Sequence, residues 1–479
     1  MSVRENRGIG EEKMSKSLKQ KIVSSLLAIS LAVSLAPIGQ TKADSTSEVT
    51  QTSSITKQID PNRAIEHVRF LSETIGPRPG GTKSEEWASR YIGMQLKSMG
   101  YEVEYQPFQV PDQYIGFIES PLSTKRNWQA GAAPNALIST EAITAPLIFV
   151  QGGTKLEDIP NEVNGKIVLF ERGTTVTDYN KQVENAVSKG AKGVLLYSLI
   201  GGRGNYGQTF NPRLTKKQSI PVFGLAYAQG NAFKEEIAKK ETTILSLKAR
   251  HESKLTSLNV IAKKKPKKST GNEKAVVVSS HYDSVVGAPG ANDNASGTGL
   301  VLELARAFQN VETDKEIRFI TFGSEETGLL GSDYYVNSLS QKERDRILGV
   351  FNADMVATNY DKAKNLYAMT PDGSTNFVTD AALQAGKQLN NDLVLQGKFG
   401  SSDHVPFAEA GIPAALFIWM GVDSWNPLIY HIEKVYHTPQ DNVLENISPE
   451  RMKMALDVIG TGVYNSLQKS ITQTEQKAA

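Results

Sequence analysis

The stretch Arg318–Gly328, RFITFGSEETG, is an apolar β-like run that stops at two adjacent carboxylates, Glu325 and Glu326, on a glycine-flanked turn. Alone, such a pair reads as two solvated loop side chains. The flanking sequence changes that reading. GTGLVLELARAFQNV (297–311) has helical spacing, and EIRFITF (316–322) reads as a buried strand. SDYYVNSLSQKERDRI (332–347) is again helical and GVFNADMVA (349–357) again strand-like. Upstream, SLNVIA (257–262) and KAVVVSSHYDS (274–284) read as two strands joined by KKKPKKSTGNE, a basic loop taken as a solvated turn rather than a nucleic-acid patch. Strands alternating with helices predict an α/β fold with helices on both faces of the sheet. Ligands of such sheets sit at the carboxyl ends of strands, which is where Glu325 and Glu326 fall.

At 479 residues the chain is long enough for two or three domains. Lys16, Lys19 and Lys21 precede the apolar run IVSSLLAISLAVSLA (22–36) and then TKA, the pattern of a signal peptide over 1–43 cleaved near Ala43, with Met14 a plausible start. A secreted, extracellular protein without stable membrane association is expected. Of 53 Lys+Arg and 51 Asp+Glu, seven and three lie in residues 1–43, leaving 46 against 48 and a net of −2, a balance that does not point to nucleic acid. The chain has no cysteine, so there are no disulfides, and any metal is held by carboxylates and the six histidines.

A polar linker (44–57) leads into SEEWASRYIGMQLKSMGYEVEYQPF (84–108), a helix ending at Gly100 that feeds a strand. Residues 58–124 and 251–470 are expected to form one domain, with 471–479 a polar tail. Between them, 125–250 holds the short β-runs APLIFV, GKIVLFERG, AKGVLLYS and IPVFGL, one helix (YNKQVENAVSKGA) and no histidine, and reads as an inserted β-rich domain without a metal site. Residues 199–218 are expected to be a polar, Gly-rich surface loop, and the insert to limit which substrates reach the site without taking part in the chemistry.

Five places, each after a strand-like run, carry the polar residues of a metal site: His281 and Asp283 in SSHYDS, Asp293 in GANDNASG, Glu325 and Glu326, Asp354 in NADMV, and His437 in VYHTPQDN. Two histidines and three carboxylates without cysteine suit a pair of zinc or similar ions sharing a bridging carboxylate. The adjacent glutamates then divide the work, one binding metal and the other serving as general base. Asp283, two residues beyond His281, suits the second nitrogen of that imidazole.

Taken together, HYDSV, PGANDNASGTG, EIRFITFGSEETGLLGS, NADMV, GSSDHVPF, GIP and YHTPQD resemble the co-catalytic double-zinc aminopeptidases of metallopeptidase family twenty-eight, over most of 60–120 and 255–470. The insert is similar to the protease-associated domain of secreted members, especially those of Gram-positive bacteria. The resemblance implies a three-layer αβα domain with a mixed sheet. It makes Asp293 the bridging ligand of two Zn2+, with His281 and Asp354 on one side and Glu326 and His437 on the other, Glu325 the base, Tyr436 the oxyanion partner, and the Asp293–Asn294 bond cis. A metal-bridged hydroxide would attack the N-terminal peptide bond of a peptide substrate. Met355 and Phe417 are candidates for an apolar side-chain pocket, and a monomer is expected. Asn292 and Asn294 stand where relatives often carry Asp, and Ser401 where some have Arg. The other readings are a carboxypeptidase of the same superfamily, which would need clustered Arg for a terminal carboxylate, and an inactive receptor-like protein, which would be expected to have lost ligands or the base.

Overall fold

The computed structural model describes residues 55–120, 123–200, 207–239, 243–266, 268–269, 271–423 and 430–468. The expected signal peptide and polar tail lie outside them, as do residues 44–54 of the expected linker. Residues 55–57 of that linker are helical, and Ile55 is buried. Among the described residues no helix is long and apolar enough to cross a membrane.

Strand β1 (Glu102–Val110) ends at Pro111, which cannot donate to a ladder and turns the chain out of the sheet. Seven strands follow: β2 (Gln113–Ser120), β3 (Ser123–Ala132), β4 (Ile143–Val150), β5 (Ile167–Glu171), β6 (Gly193–Tyr197), β7 (Val222–Leu225) and β8 (Ile244–Glu252). They close a barrel in the order β2-β3-β7-β6-β5-β4-β8. The chain returns as β9 (Leu255–Lys264), antiparallel to β1 from Glu102 opposite Lys263 to Val110 opposite Leu255. The barrel is thus the loop of one long hairpin.

The parallel strands β5 and β6 are apolar along their length because both faces are covered. Leu169 and Leu195 point into the barrel with Ile118, Phe223 and Leu247. Val168, Phe170, Val194 and Leu196 pack outward under Val183 and Ala186 of helix Val176–Ser188. A second helix, Tyr227–Ala238, was not expected. Its interior Gly230 blurs the pattern, and a Cβ there would lie 2.2 Å from the Tyr197 ring.

The inserted barrel runs from Gln113 to Glu252, wider than the expected 125–250. Only Pro111 and Asp112 separate β2 from β1, so the two read as one β-run. The barrel consequently carries a histidine: His251 Nε2 lies 2.6 Å from Asp112 Oδ2, and its ring stacks on Tyr114 at 4.4 Å. The described part of 199–218 also differs from a surface loop. Leu214 is buried, Asn211 Nδ2 donates to the carbonyls of Tyr114 and Ala132 at 2.8 Å each, and the Phe210 carbonyl presses against Gly131 and Gly224. Residues 201–206 lie outside the described set.

The main sheet continues with β10 (Ala275–His281), β11 (Glu316–Phe322), β12 (Ile347–Ala353), β13 (Asn365–Thr370), β14 (Val394–Lys398), β15 (Ala414–Val422) and β16 (Tyr430–His431). Its order is β1-β9-β11-β10-β12-β15-β13-β14, with β16 on β15. Strand β10 is parallel to both β11 and β12, whereas β9 and β13 run antiparallel to their neighbours β11 and β15. Helices Pro61–Arg69, Gly297–Phe308, Phe377–Gln388 and Pro449–Gln468 pack together on one face. Helices Leu330–Ser338 and His404–Glu409 cover the other, where Tyr335, Val336 and Phe407 meet Val277, Ile320 and Val350. The fold is the predicted three-layer αβα arrangement with a mixed sheet. The helix expected over 332–347 is two, because the Ser340 hydroxyl accepts from Glu343 N–H and starts a new helix, Gln341–Arg346.

Candidate metal centre and active site

The central parallel strands deliver the site. His281 is the last residue of β10 and Asp354 follows β12, while Glu325 and Glu326 occupy a 3₁₀ turn after β11. Asp293 lies between β10 and helix Gly297–Phe308, and His437 follows β16. Asp293 stands between the two histidines, with Oδ1 3.3 Å from His281 Nε2 and Oδ2 2.9 Å from His437 Nε2. His281 Nε2 is 3.5 Å from Asp354 Oδ1, and His437 Nε2 is 2.9 Å from Glu326 Oε2. Tyr436 stacks on His437 at 3.7 Å. The Asp293–Asn294 bond is cis. Ser324, Leu329, Met355 and His437, all around this site, hold positive φ angles of 54°, 61°, 58° and 57°, conformations tolerated where a site over-determines the backbone.

A ring of buried groups holds these residues; of them the sequence reading singled out only Asp283, as the partner of His281, and Asn294, as a departure from the family pattern. Asp283 sits 3.3 Å from His281 Nδ1 and accepts the backbone N–H of Glu325 at 3.0 Å and of Glu326 at 3.2 Å. Glu85 accepts from the N–H and hydroxyl of Ser324 at 2.9 and 3.0 Å, fixing the residue that aims Glu325. Asp441 accepts the N–H groups of Asn292 and Asp293 at 2.8 and 3.0 Å. Asn294 explains why an amide stands there: Oδ1 accepts from Gly297 N–H (2.8 Å) and Met355 N–H (3.3 Å), while Nδ2 donates to Ala353 C=O (2.9 Å). One side chain thereby fixes Asp293 relative to Asp354, and aspartate could not donate. Ser402 donates to Asp354 Oδ2 at 2.8 Å and is itself held by Asn352. Fully buried Arg78 donates to five carbonyls, those of Leu71, Gly76, Tyr282, Pro289 and Gly290, and so ties the loop before Asp293 to the N-terminal segment. Only its place in GPRPGG (76–81), near a predicted helix start, could have drawn attention to it.

The electrostatics ask for cations. Burial pushes Glu326 up to about 7, although His437 opposes the shift. Burial raises Glu325 well above the carboxylate range, against the pull of His281 and helped by Glu326, Asp403 and Asp354. Burial would raise Asp293 too, yet His281 and His437 hold it below its ordinary value. Both histidines are lifted well above 6.5 by the surrounding carboxylates, against burial. Glu326 Oε1 and Asp354 Oδ1 are buried without a hydrogen-bond partner. Two compact groups, His281–Glu325–Asp354 and Asp293–Glu326–His437, each gather ligand atoms within 4.8 Å. Buried carboxylates and imidazoles with lone pairs left over fit divalent metal ions, which would replace the protons that now balance the charge.

These side chains line a pocket of about 260 Å³ whose apolar wall is Met355, Phe399, Leu416, Ile418 and Ile432. Of the two expected wall residues, Met355 is there and Phe417 is not. Alternation along β15 sends Leu416 and Ile418 to the pocket and Phe417 to the opposite face, where it stacks on Phe351 at 5.7 Å. Phe417 still contributes its carbonyl, which accepts Asp354 N–H at 3.0 Å.

Residues 259–463 match peptidase family M28, and 137–233 match the PA domain. Aminopeptidase YwaD of Bacillus subtilis (strain 168) is 39% identical over 412 residues, 85% of this chain and 85% of its own length. The structure of BSAP, a zinc aminopeptidase from Bacillus subtilis, has a TM-score of 0.61 at 37% identity and covers 86% of this chain and 96% of its own. The aminopeptidase from Aneurinibacillus sp. strain AM-1 has a TM-score of 0.54 at 36% identity, covering 88% and 97%. On the strength of a relative so similar over most of both chains, and of a PA match lying inside the β1–β9 hairpin, the chain belongs to peptidase family M28 and carries an inserted PA domain.

Proposed function

We propose that this protein is an exported zinc aminopeptidase that removes N-terminal residues from peptides, with His281, Asp293 and Asp354 holding one ion, Asp293, Glu326 and His437 the other, and Glu325 as general base. The observation that carries the reading is the pocket lining. It contains four carboxylates, Asp293, Glu325, Glu326 and Asp354, and no Arg or Lys among the described residues. With the carboxylates offset by bound ions, the lining still offers no guanidinium or ammonium to hold a terminal carboxylate, which favours aminopeptidase over carboxypeptidase. Intact ligand and base positions argue against an inactive binding protein. The names of the relatives point the same way.

Bound ions would polarise the scissile carbonyl and acidify a water between them. Glu325, partly buried in the pocket wall on a turn held by Asp283, takes the proton of the attacking water as its oxygen bonds to the carbonyl carbon. It returns that proton to the departing amine as the C–N bond breaks. Burial first, and the nearby carboxylates second, keep the Tyr436 phenol protonated, so it can donate to the oxyanion. The wall of Met355, Leu416 and Ile418 receives an apolar N-terminal side chain. Export rests on the charged and apolar runs before Ala43.

The test is a panel of aminoacyl nitroanilides, free and N-acetylated, with and without chelator. Cleavage of the free series alone, abolished by chelator and restored by zinc, is expected. Cleavage of the acetylated series, or indifference to chelator, overturns the reading.

A further inference from the structure

We propose that the PA domain forms part of the binding site for the peptide downstream of the scissile bond, so that the residues after the one removed lie in a cleft between the barrel and the peptidase domain. This rests on the aminopeptidase reading and deepens it. The cleft, about 270 Å³, is lined from the peptidase side by Pro79, Ser284, Val285, Val286, Glu326 and Thr327. The barrel side supplies Gln113, Thr209, Phe210 and Asn211, beside the connecting Pro111 and Asp112.

Position comes first. Glu326 lines both this cleft and the catalytic pocket, so the cleft begins at the metal centre itself. An exopeptidase that takes one residue into the catalytic pocket must pass the rest of its substrate out beside that centre.

The barrel wall is built rather than draped. The Phe210 carbonyl fits against Gly131 and Gly224, where a Cβ would come within 2.1 and 2.0 Å of its oxygen. The Phe210 ring packs edge-on to Tyr179 and under the Arg172 guanidinium at 4.8 Å, and Asn211 is tied to two barrel carbonyls. The two domains also meet closely at Gly287, where φ is +82° and a Cβ would lie 2.8 Å from the Gln129 carbonyl oxygen and 3.3 Å from Thr209 Oγ1.

The lining states the ligand chemistry. Thr209 Oγ1 is buried with no hydrogen-bond partner, a rare condition for a hydroxyl and a free valence for a substrate backbone N–H or C=O. Pro79, Pro111, Val285, Val286 and Phe210 offer apolar surface, and the charged lining groups are carboxylates, with Asp112 paired to His251. The cleft suits apolar residues at the second and third positions of the peptide and disfavours acidic ones.

The experiment compares leucinamide, which has nothing downstream, with the tetrapeptide Leu-Val-Phe-Ala and its Leu-Asp-Phe-Ala counterpart, on the zinc-loaded full chain. The wild type is expected to favour the first tetrapeptide over leucinamide by at least about tenfold in kcat/KM, and over the Asp peptide by a similar factor. Val286→Trp fills the cleft and is expected to lower the tetrapeptide value about tenfold, through KM, with leucinamide within about twofold. Thr209→Val keeps the shape and removes the hydroxyl; a selective loss of about fivefold is expected, the scale of one hydrogen bond. Equal losses for leucinamide and tetrapeptide in both variants, or no loss for either, overturn the proposal. A wild type that cleaves neither substrate overturns the aminopeptidase reading instead.

Discussion

Replacing Glu325 by glutamine separates the two roles open to it, because its carboxylate lies within 4.8 Å of ligand atoms on His281 and Asp354 and could itself bind metal. The substitution is nearly isosteric. The turn should persist, since its N–H groups are held by Asp283 at 3.0 and 3.2 Å regardless of the side chain. As a general base, Glu325 contributes about 10²–10⁴ in rate, and its loss raises the activation free energy of the enzyme-bound reaction by roughly 3–5 kcal/mol. Charge alone adds a smaller effect on metal. Removing one carboxylate some 5 Å from a dication costs roughly 1–2 kcal/mol in the water limit, about tenfold in affinity. Affinity therefore cannot discriminate, but stoichiometry at saturating zinc can. The expected result is two ions per chain by metal analysis of the dialysed, zinc-saturated variant, unchanged thermal unfolding, and turnover of a leucyl nitroanilide lower by at least about a hundredfold. Loss of one ion from Glu325→Gln, with both retained in Glu326→Gln, would refute the division of labour and exchange the two assignments.

Arg78→Lys offers three donors to five carbonyls, so at least two buried acceptors lose their partner; a drop of about 2–5 kcal/mol in unfolding free energy is expected, and a Tm within about 2 °C of wild type would remove Arg78 as the tie of the Asp293 loop. Asn294→Asp cannot donate to Ala353 C=O and places a carboxylate against it, so stability should fall by about 2–3 kcal/mol and zinc should protect the variant less than wild type; equal protection would refute the role. Burial, aided by Arg63, lowers His67 to about 4 from 6.5, so the native state stays neutral while the unfolded chain takes up a proton. Stability from this group is complete above pH 6.5 and is lost as pH falls towards 4, by roughly 3 kcal/mol; in denaturant titrations at pH 7 and 4.5, His67→Gln should shrink the difference, and an unchanged difference would refute it.

The residues proposed to hold metal, which the structure brings together, were legible in the sequence because each carries its own chemistry at the end of a recognisable strand. The groups that hold them were not. Glu85 looks like a first-turn helix glutamate, yet its carboxylate reaches across to Ser324 and Ser257. Asp441 looks like a turn former in TPQDN but binds the backbone of Asp293 from 148 positions away. Nothing local marks such long-range bonds. The placing of Phe417 failed for a different reason: on a strand buried on both faces, an apolar run has no alternation to say which residues meet the pocket.

The barrel's true boundary has the same origin. Residues 102–120 read as continuous β-sequence, and what divides them is the partner each strand finds. Strand β1 is completed by β9 and β2 by β8, every paired residue lying at least 127 positions further along the chain, as for Glu119 and Ser246. Pairing decided at that distance leaves Pro111 as the sole local mark. The consequence is functional, because it places Gln113 on a barrel strand opposite Val285 and Glu326 rather than in the peptidase sheet. A boundary at 125 would leave Thr209, Phe210 and Asn211 as the barrel's share of the cleft and give Gln113 to the peptidase side. With the boundary at 113, two separate parts of the barrel meet the peptidase domain there, and under the proposed binding mode the spacing across Gly287 sets how wide a peptide the seam accepts.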